Sequence, residues 1–328
     1  MTSPVIIRGA GVVGLCVASE LSARGVPVTL RDPAPGPGPQ ACSWWAGGML
    51  APFCEGYTAE EPVVRLGQEA ADWWQTHGAT VHRNGSLVVT LARDRAELSQ
   101  FARRTSGHEA VTGADLAELE PLLADDFDRA LFFPGEAHIN PRLSLETLRT
   151  RLIKDGVTFE QTDAAPSAKT VIDCRGLAAR DALKDLRGVK GEMVILRAPD
   201  LTLSRPIRLL HPRFPLYIVP RGDGVFMLGA TQIESGERGR ASVRSVMELL
   251  SAAYALHPAF GEAELLEIGT DARPAFADNL PRIRRRGGTI YVNGLFRHGF
   301  LLSPALARML ADLVLDGQIS EVMDEDHS

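Results

Sequence analysis

The chain has no cysteines spaced as CxxC. Its four cysteines, Cys16, Cys42, Cys54 and Cys174, show no metal-ligand spacing either. The histidines form no HxH or HExxH pair, so a metal site is not expected. No apolar run approaches the roughly 20 residues that cross a bilayer. The N-terminus has no basic leader and passes directly into VIIRGAGVVG, so no signal peptide is expected. Reduced thiols and a cytoplasmic location follow as expectations. Basic charge is not in excess: the formal net charge is -6, which argues against a general nucleic-acid surface. Repeats and long low-complexity tracts are absent, and PAPGPGP, Pro33 to Pro39, reads as a short stiff loop.

What is present is an ordinary globular composition on a chain of 328 residues, long enough for two domains or one large interleaved α/β unit. The opening segment, PVIIRGAGVVGLCVASELSARGVPVTLRD, reads as strand, tight turn, helix, strand. Val5, Ile6 and Ile7 predict a buried strand. Gly9, Gly11 and Gly14 then match GxGxxG. Val17, Ala18 and Leu21 continue at helical spacing, Gly25 stops the helix, and Val26 to Leu30 predict a second strand that ends near Asp32.

Each part has a physical task. Gly9 permits the turn, Gly11 lets backbone approach a pyrophosphate, and Gly14 lets helix and strand pack closely. The helix N-terminus, at Val12 and Val13, offers free N–H groups and a positive dipole end to phosphates. Asp32 lies about 20 residues on, where an acid accepts hydrogen bonds from an adenosine ribose and disfavours a 2′-phosphate. The motif predicts dinucleotide binding without separating FAD from NAD.

No further βαβ unit follows at once. Instead come CSWWAGGMLAPFCE, a helix-like stretch EEPVVRLGQEAADWWQTHG, strand-like GSLVVT, a helical PRLSLETLRTRLIKDG, a strand in TVIDCRG, and a late strand–turn–helix in TIYVNGLFRHGFLLSPALARMLADLVLDG. The nucleotide fold is therefore expected to be assembled from separated pieces with β-rich insertions. Trp73 and Trp74 are expected in the core, and Trp44 and Trp45 in the core or a subunit contact. Arg284-Arg285-Arg286 before Gly287-Gly288 reads as a solvated turn ahead of a strand.

In this order, the opening GxGxxG with Asp32, SWWAGGMLAP, KGEMVILR, LYIVPRGDGVFMLGAT, Arg273-Pro274 and GLFRHGFLLSPA resemble the D-amino-acid oxidase family of FAD enzymes over nearly the full length. Within it the chain is most similar to the glycine oxidase branch that serves thiamine biosynthesis. The resemblance implies an α/β fold. A Rossmann-type FAD-binding domain of residues 1–79, 138–185 and 286–328 would interleave with an antiparallel-sheet α+β substrate domain of residues 80–137 and 186–285. It implies non-covalent FAD, oxidative deamination of glycine or another small amine or D-amino acid, and oxygen as acceptor with release of hydrogen peroxide. A homo-oligomer is implied by the resemblance alone.

The resemblance also places residues. Ser43, Gly47, Gly48 and Met49 would run along the flavin, with Gly176 a backbone contact from the segment where this chain has Cys174-Arg175-Gly176 in place of Ala-Thr-Gly. The turn Arg297, His298, Gly299, Phe300 and Leu301 would neighbour the flavin edge, with helix N–H groups facing the charge that gathers there on reduction. Near Pro281 the family glycine after PxI is absent. For the substrate, a carboxylate calls for arginine, whose planar fork receives it bidentately. Arg273 is the first candidate, since Pro274 biases it to extended backbone. Tyr217 matches a family tyrosine that helps hold the carboxylate, and Arg297 a residue at the substrate entrance. His298 reads as a packed turn residue rather than a catalytic one. Two other readings stand beside this one: a dehydrogenase of the same fold passing electrons from an amino acid or sarcosine to a carrier, and a nucleotide-binding regulatory protein without catalysis. No nucleic-acid or membrane partner is expected.

Overall fold

The computed structural model describes residues 3–166, 168, 170–211 and 215–324. Among these, the strands form sheets of seven, eight and three strands. Strand Val5–Arg8 lies inside the first sheet, parallel to Val28–Asp32 on one side and to Thr170–Asp173 on the other. Thr170–Asp173 pairs in parallel with Thr289–Asn293, and Val28–Asp32 with Thr158–Gln161. The parallel core thus joins three distant parts of the chain. Arg282–Arg286 extends it antiparallel, and Met323–Asp324 closes that edge.

Parallel neighbours need a crossover, and helix Val12–Ala23 supplies the first. It buries Leu15, Cys16, Val17, Ala18 and Leu21 between the sheet and the last helix, Gly299–Asp316. Both helices are apolar on most faces, as helices covered on several sides must be. Gly317, at φ 70°, ends the last one in a left-handed cap. No helix among the described residues is long and apolar enough to cross a membrane.

The eight-stranded sheet runs, by position, Glu264–Ala275, Arg187–Arg197, Val225–Gly229, Leu216–Gly222, Ile207–Leu210, Ser86–Thr90, Arg129–Phe133 and Glu109–Thr112. Its pairs are antiparallel except Ile207–Leu210 with Ser86–Thr90, which are parallel. Leu249, Ala253 and Leu256 of helix Val243–Leu256 pack with Leu196, Ile218 and Phe226 in one of its cores. A separate cluster joins Met193 and Met227 of this sheet to Trp45 and Tyr217. The three-stranded sheet has the order Met49–Leu50, Ala137–Ile139 and Val81–His82.

Three expectations change. The second strand is Val28–Asp32, because Val26 still donates its N–H to Leu21 O and closes the helix. The stretch from Glu61 divides into helices Glu61–Gly67 and Ala70–Thr76, with a Cβ on Gly67 reaching within 2.7 Å of Leu301. Arg284–Arg286 is strand, not a solvated turn. Arg284 is buried between Asp185 and Asp324, 2.8 Å from each, with its guanidinium 4.5 Å from the Phe276 ring centre. Gly287 and Gly288 alone make the turn. Trp74 is fully buried and donates Nε1–H to Phe300 O at 2.8 Å, fastening the last helix at its first turn.

The glycines of the first turn differ in what they permit. A Cβ on Gly14 would stand 1.9 Å from Gly9 O, whereas one on Gly11 would meet nothing nearer than Ser43 Oγ at 3.7 Å. Gly14→Ala therefore forces helix and strand apart and costs about 1–3 kcal/mol. Gly11→Ala leaves the fold nearly unchanged. Thermal unfolding of the flavin-free variants checks this: Gly14→Ala melts well below wild type and Gly11→Ala close to it. Equal melting points would contradict the packing described.

Candidate active site

A cavity of about 700 Å³ runs from the carboxyl ends of Val5–Arg8, Val28–Asp32 and Thr170–Asp173 to the long strands of the eight-stranded sheet. Its first wall is the glycine turn. Gly9 adopts φ 98°, donates its N–H to Arg31 O at 2.8 Å, and lies where a Cβ would come within 2.7 Å of Cys174 O. Gly11 caps the first helix with no side chain, so N–H groups at Val12 and Val13 remain for another acceptor. Asp32 takes the N–H of Ala10 on Oδ2 at 2.7 Å and that of Ala34 on Oδ1 at 2.8 Å. Each oxygen keeps a lone pair, so the acid can fix the turn and still accept from a ribose.

The second wall is the segment after the Pro/Gly loop. Cys42–Trp45 is a 3-10 turn that buries Ser43. Gly47 passes so close to Tyr217 that a Cβ would lie 2.8 Å from Cε2. Gly48 holds φ 77°, with Ile139 O where its Cβ would be. Met49 then pairs with His138. Arg221 donates to Ala46 O and to Ile139 O, both at 2.9 Å, and thereby pins this segment. Burial without a carboxylate pulls the Arg221 guanidinium down to about 9. Trp44 and Trp45 are half-buried, with Arg142 4.7 and 5.2 Å from their ring centres. Trp45 packs on Gly269 and lines the cavity, so it is a wall rather than deep core.

Arg273, Tyr217 and Arg297 all line the cavity. Arg273 extends from strand Glu264–Ala275 over Gly191, where a Cβ would be 2.1 Å from Nη2, and donates Nη1–H to Thr231 O at 3.2 Å. Burial lowers its pKa from the usual arginine value. Tyr217 lies across Gly229, whose Cβ position is 2.8 Å from the hydroxyl. Arg297 is held elsewhere: it donates to Glu55 Oε2 at 2.5 Å and to Thr58 Oγ1 at 2.7 Å. Arg208 donates to Glu55 Oε1 at 2.9 Å. Burial pushes the Glu55 carboxyl up, but Arg297, Arg208 and His298 outweigh it and hold Glu55 well below the usual carboxylate range. His298 is buried, which pulls it down to about 4 and leaves it neutral at pH 7.

Of the expected site residues, Gly9, Gly11, Val12, Val13, Asp32, Ser43, Gly47, Gly48, Met49, Gly176 and the turn Arg297 to Leu301 all line this cavity, as do Tyr217 and Arg273. Gly14 does not; it lies under the turn and packs helix on strand. Glu55, Thr58, Arg208, Gly191 and Gly229 escaped the sequence reading. Glu55 left one trace, an acid set in the otherwise apolar MLAPFCEGY.

The profile of the family described as DAO, FAD dependent oxidoreductase, matches residues 4–313. The chain belongs to that family. It is 51% identical over 322 residues to a Rhizobium etli protein named as a thiamine biosynthesis oxidoreductase, ThiO, covering 96% of this chain and 97% of the relative. It is 27% identical over 355 residues to the glycine oxidase of Pseudomonas aeruginosa, covering 96% and 95%. The crystal structure of glycine oxidase from Geobacillus kaustophilus superposes with a TM-score of 0.81 at 23% identity, over 98% and 96% of the two chains, a likeness of fold.

As a member of this family the chain is an FAD-dependent oxidoreductase. The cavity suits FAD in three respects: a turn with no Cβ at Gly11 beside an uncapped helix N-terminus, an acid with spare lone pairs at Asp32, and continuous space from there to Tyr217. Asp32→Ala is expected to weaken FAD binding about ten- to a hundredfold, the worth of a charged hydrogen bond of about 1.5–3 kcal/mol. Titrating flavin-free protein with FAD by fluorescence checks this, and unchanged affinity would remove Asp32 from the ribose.

Behind Glu55, Glu136 is buried and accepts from Cys54 N–H at 2.7 Å and from the Ser86 hydroxyl. Burial pushes it up to about 7 from an ordinary value of 4.5. An acid whose folded pKa is raised binds its proton more tightly when folded. Its penalty is absent below 4.5, grows as pH rises to about 7, and is complete above. Relative to Glu136→Gln, wild-type stability should therefore decline between those values and run parallel beyond them. Urea unfolding of both proteins across pH reads this, and parallel curves throughout would refute it.

Proposed function

We propose that the chain oxidises glycine or another small amino acid to an imino acid, which water hydrolyses to a 2-oxo acid and ammonia. Oxygen takes the electrons and leaves as hydrogen peroxide. One observation carries this reading. Among the described residues lining the cavity, arginines are numerous but nearly all neutralised. Arg8 and Arg175 pair with Asp173, Arg31 with Glu160, Arg238 with Asp271, and Arg208 and Arg297 with Glu55. Arg273 has no carboxylate partner, yet it is deep in the cavity. A half-buried guanidinium that lines a cavity without an anion of its own is free to receive a ligand's carboxylate.

FAD, when bound, would supply the two-electron redox chemistry. The protein's share is binding and orientation. Arg273 receives the substrate carboxylate, and Tyr217, fixed between Gly47 and Gly229, adds its hydroxyl. Trp45 and Met193 close the walls against water. Neutral His298 packs beside Glu55 and moves no proton. Gly9, Gly11, Val12, Val13, Asp32, Ser43, Gly47, Gly48, Met49, Gly176 and the 297–301 turn would hold the cofactor, without a covalent bond. The seven-stranded sheet, with Arg282–Arg286 counted in it, is the core of the FAD-binding domain, and the eight-stranded sheet that of the substrate domain. The unpaired state of the four cysteines fits work in the reducing cytoplasm. The 51% identity with the Rhizobium etli protein supports a place in thiamine biosynthesis.

Anaerobic flavin reduction by glycine, with rate followed against concentration, tests the site. Arg273→Ala should retain FAD and its spectrum but lose roughly a hundredfold or more in kcat/KM, since breaking a buried charged pair costs about 3–5 kcal/mol. Arg273→Lys keeps the charge but not the fork, and falls between. Near wild-type reduction by Arg273→Ala would move the carboxylate to another group. Oxygen uptake with peroxide release separates an oxidase from a dehydrogenase that uses a carrier.

A further inference from the structure

We infer that Glu55 sets the charge class of substrate this cavity accepts, by locking two of its arginines in an internal ion-pair chain so that one carboxylate is bound and not two. The inference rests on the proposed amino-acid site only for the first carboxylate, at Arg273.

Arg208, Arg273 and Arg297 come from three different elements and line the same cavity. Left alone, they would form a receptor for a di-anion, because guanidinium forks match carboxylates well. Glu55 prevents this by using each oxygen separately. Oε1 takes Arg208 Nη2 at 2.9 Å and Oε2 takes Arg297 Nη2 at 2.5 Å. Thr58 Oγ1 takes a further contact from the same Arg297 nitrogen. The carboxylate side chain is 12% exposed, that of Arg208 14% and that of Arg297 24%, so the Arg208 arm is screened least by water. The position of Glu55 is fixed from behind, since Glu136 holds the N–H of the preceding residue, Cys54.

Two positive charges remain on this trio after Glu55 is counted, so discrimination depends on committed donors as well as on charge. The Nε atoms of Arg208 and Arg297 are buried and have no hydrogen-bond partner. They mark donors that a second carboxylate could use once Glu55 no longer holds the forks. With Glu55 charged, an amino monoacid satisfies Arg273 and leaves the ion-pair chain intact. An amino diacid has to compete with an internal carboxylate that is already placed.

The test uses FAD-loaded enzyme and two acids that are not amino acids, acetate and malonate, titrated by calorimetry at fixed ionic strength where both are fully ionised. Wild type is expected to bind malonate no more than a few-fold better than acetate. In Glu55→Gln the malonate-to-acetate affinity ratio should rise at least tenfold, and iminodiacetate should gain on glycine in flavin reduction. Glu69→Gln, which removes an outer carboxylate paired with Arg308, should behave as wild type. A folded, FAD-loaded Glu55→Gln with the wild-type ratio overturns the inference, as does a wild type that already prefers malonate tenfold. If Glu55→Gln does not fold or load, Arg208→Gln decides: Glu55 then serves Arg297 alone and the ratio must fall below wild type, an unchanged ratio being the overturning result. Failure of glycine to reduce the wild-type flavin would sink the amino-acid reading instead, leaving the acid-binding ratio to judge Glu55 by itself.

Discussion

The first helix lies so close to the strand before it that the backbone at Gly9 and Gly14 leaves no room for a side chain. Much else depends on this contact. It seats Val12–Ala23 against the parallel strands on one side and Gly299–Asp316 on the other. It brings an uncapped helix N-terminus to the carboxyl ends of those strands. It also sets Ala10 where its N–H meets Asp32, 22 positions later. Three segments far apart in the chain can then add strands to one sheet, and the cavity opens where their carboxyl ends stop. That is the general place for ligands in open parallel sheets.

The other half of the cavity follows a different logic. Its wall is a large, mainly antiparallel sheet whose strands carry arginine, tyrosine and methionine toward the dinucleotide end. Here glycine serves close approach. Gly191 lets a guanidinium lie flat, while Gly47 and Gly229 hold a tyrosine ring between them. Charge is then disposed by pairing. Almost every arginine at the cavity is matched to an acid of this chain, which leaves Arg273 conspicuous for what it lacks. A flavin enzyme acting on a small acid needs little more from its protein than this: one unpaired cation, one rigid hydroxyl and walls that keep the substrate still.

Much of this was legible in the sequence. GxGxxG with an acid after the second strand, and the family segments spread along the chain, place the cofactor cleft. The family resemblance singles out Arg273 in DARPAF, whereas arginine before proline alone does not, since Arg205-Pro206 repeats it and Arg205 faces Glu120. What could not be read were pairings across long separations. Nothing local tells that Glu55 meets both Arg208 and Arg297, 153 and 242 residues away. Nothing local tells that Arg284 is buried, because its two carboxylates come from Asp185 and Asp324. A run of three arginines before two glycines looks solvated, yet both Ile283 and Arg284 are buried, on opposite faces of the strand. Likewise Gly191 stands opposite Asp271 in register, and only the side-chain path of Arg273 shows why it is glycine.

The central claim is that Arg273, rather than Arg297, receives the substrate carboxylate. A crystal structure of the FAD-loaded enzyme with acetate or glycolate bound addresses it most directly. The account predicts the carboxylate on the Arg273 fork beside the Tyr217 hydroxyl, with Glu55 still bridging Arg208 and Arg297. A carboxylate seated on Arg297, with Glu55 displaced and Arg273 uncontacted, would contradict it.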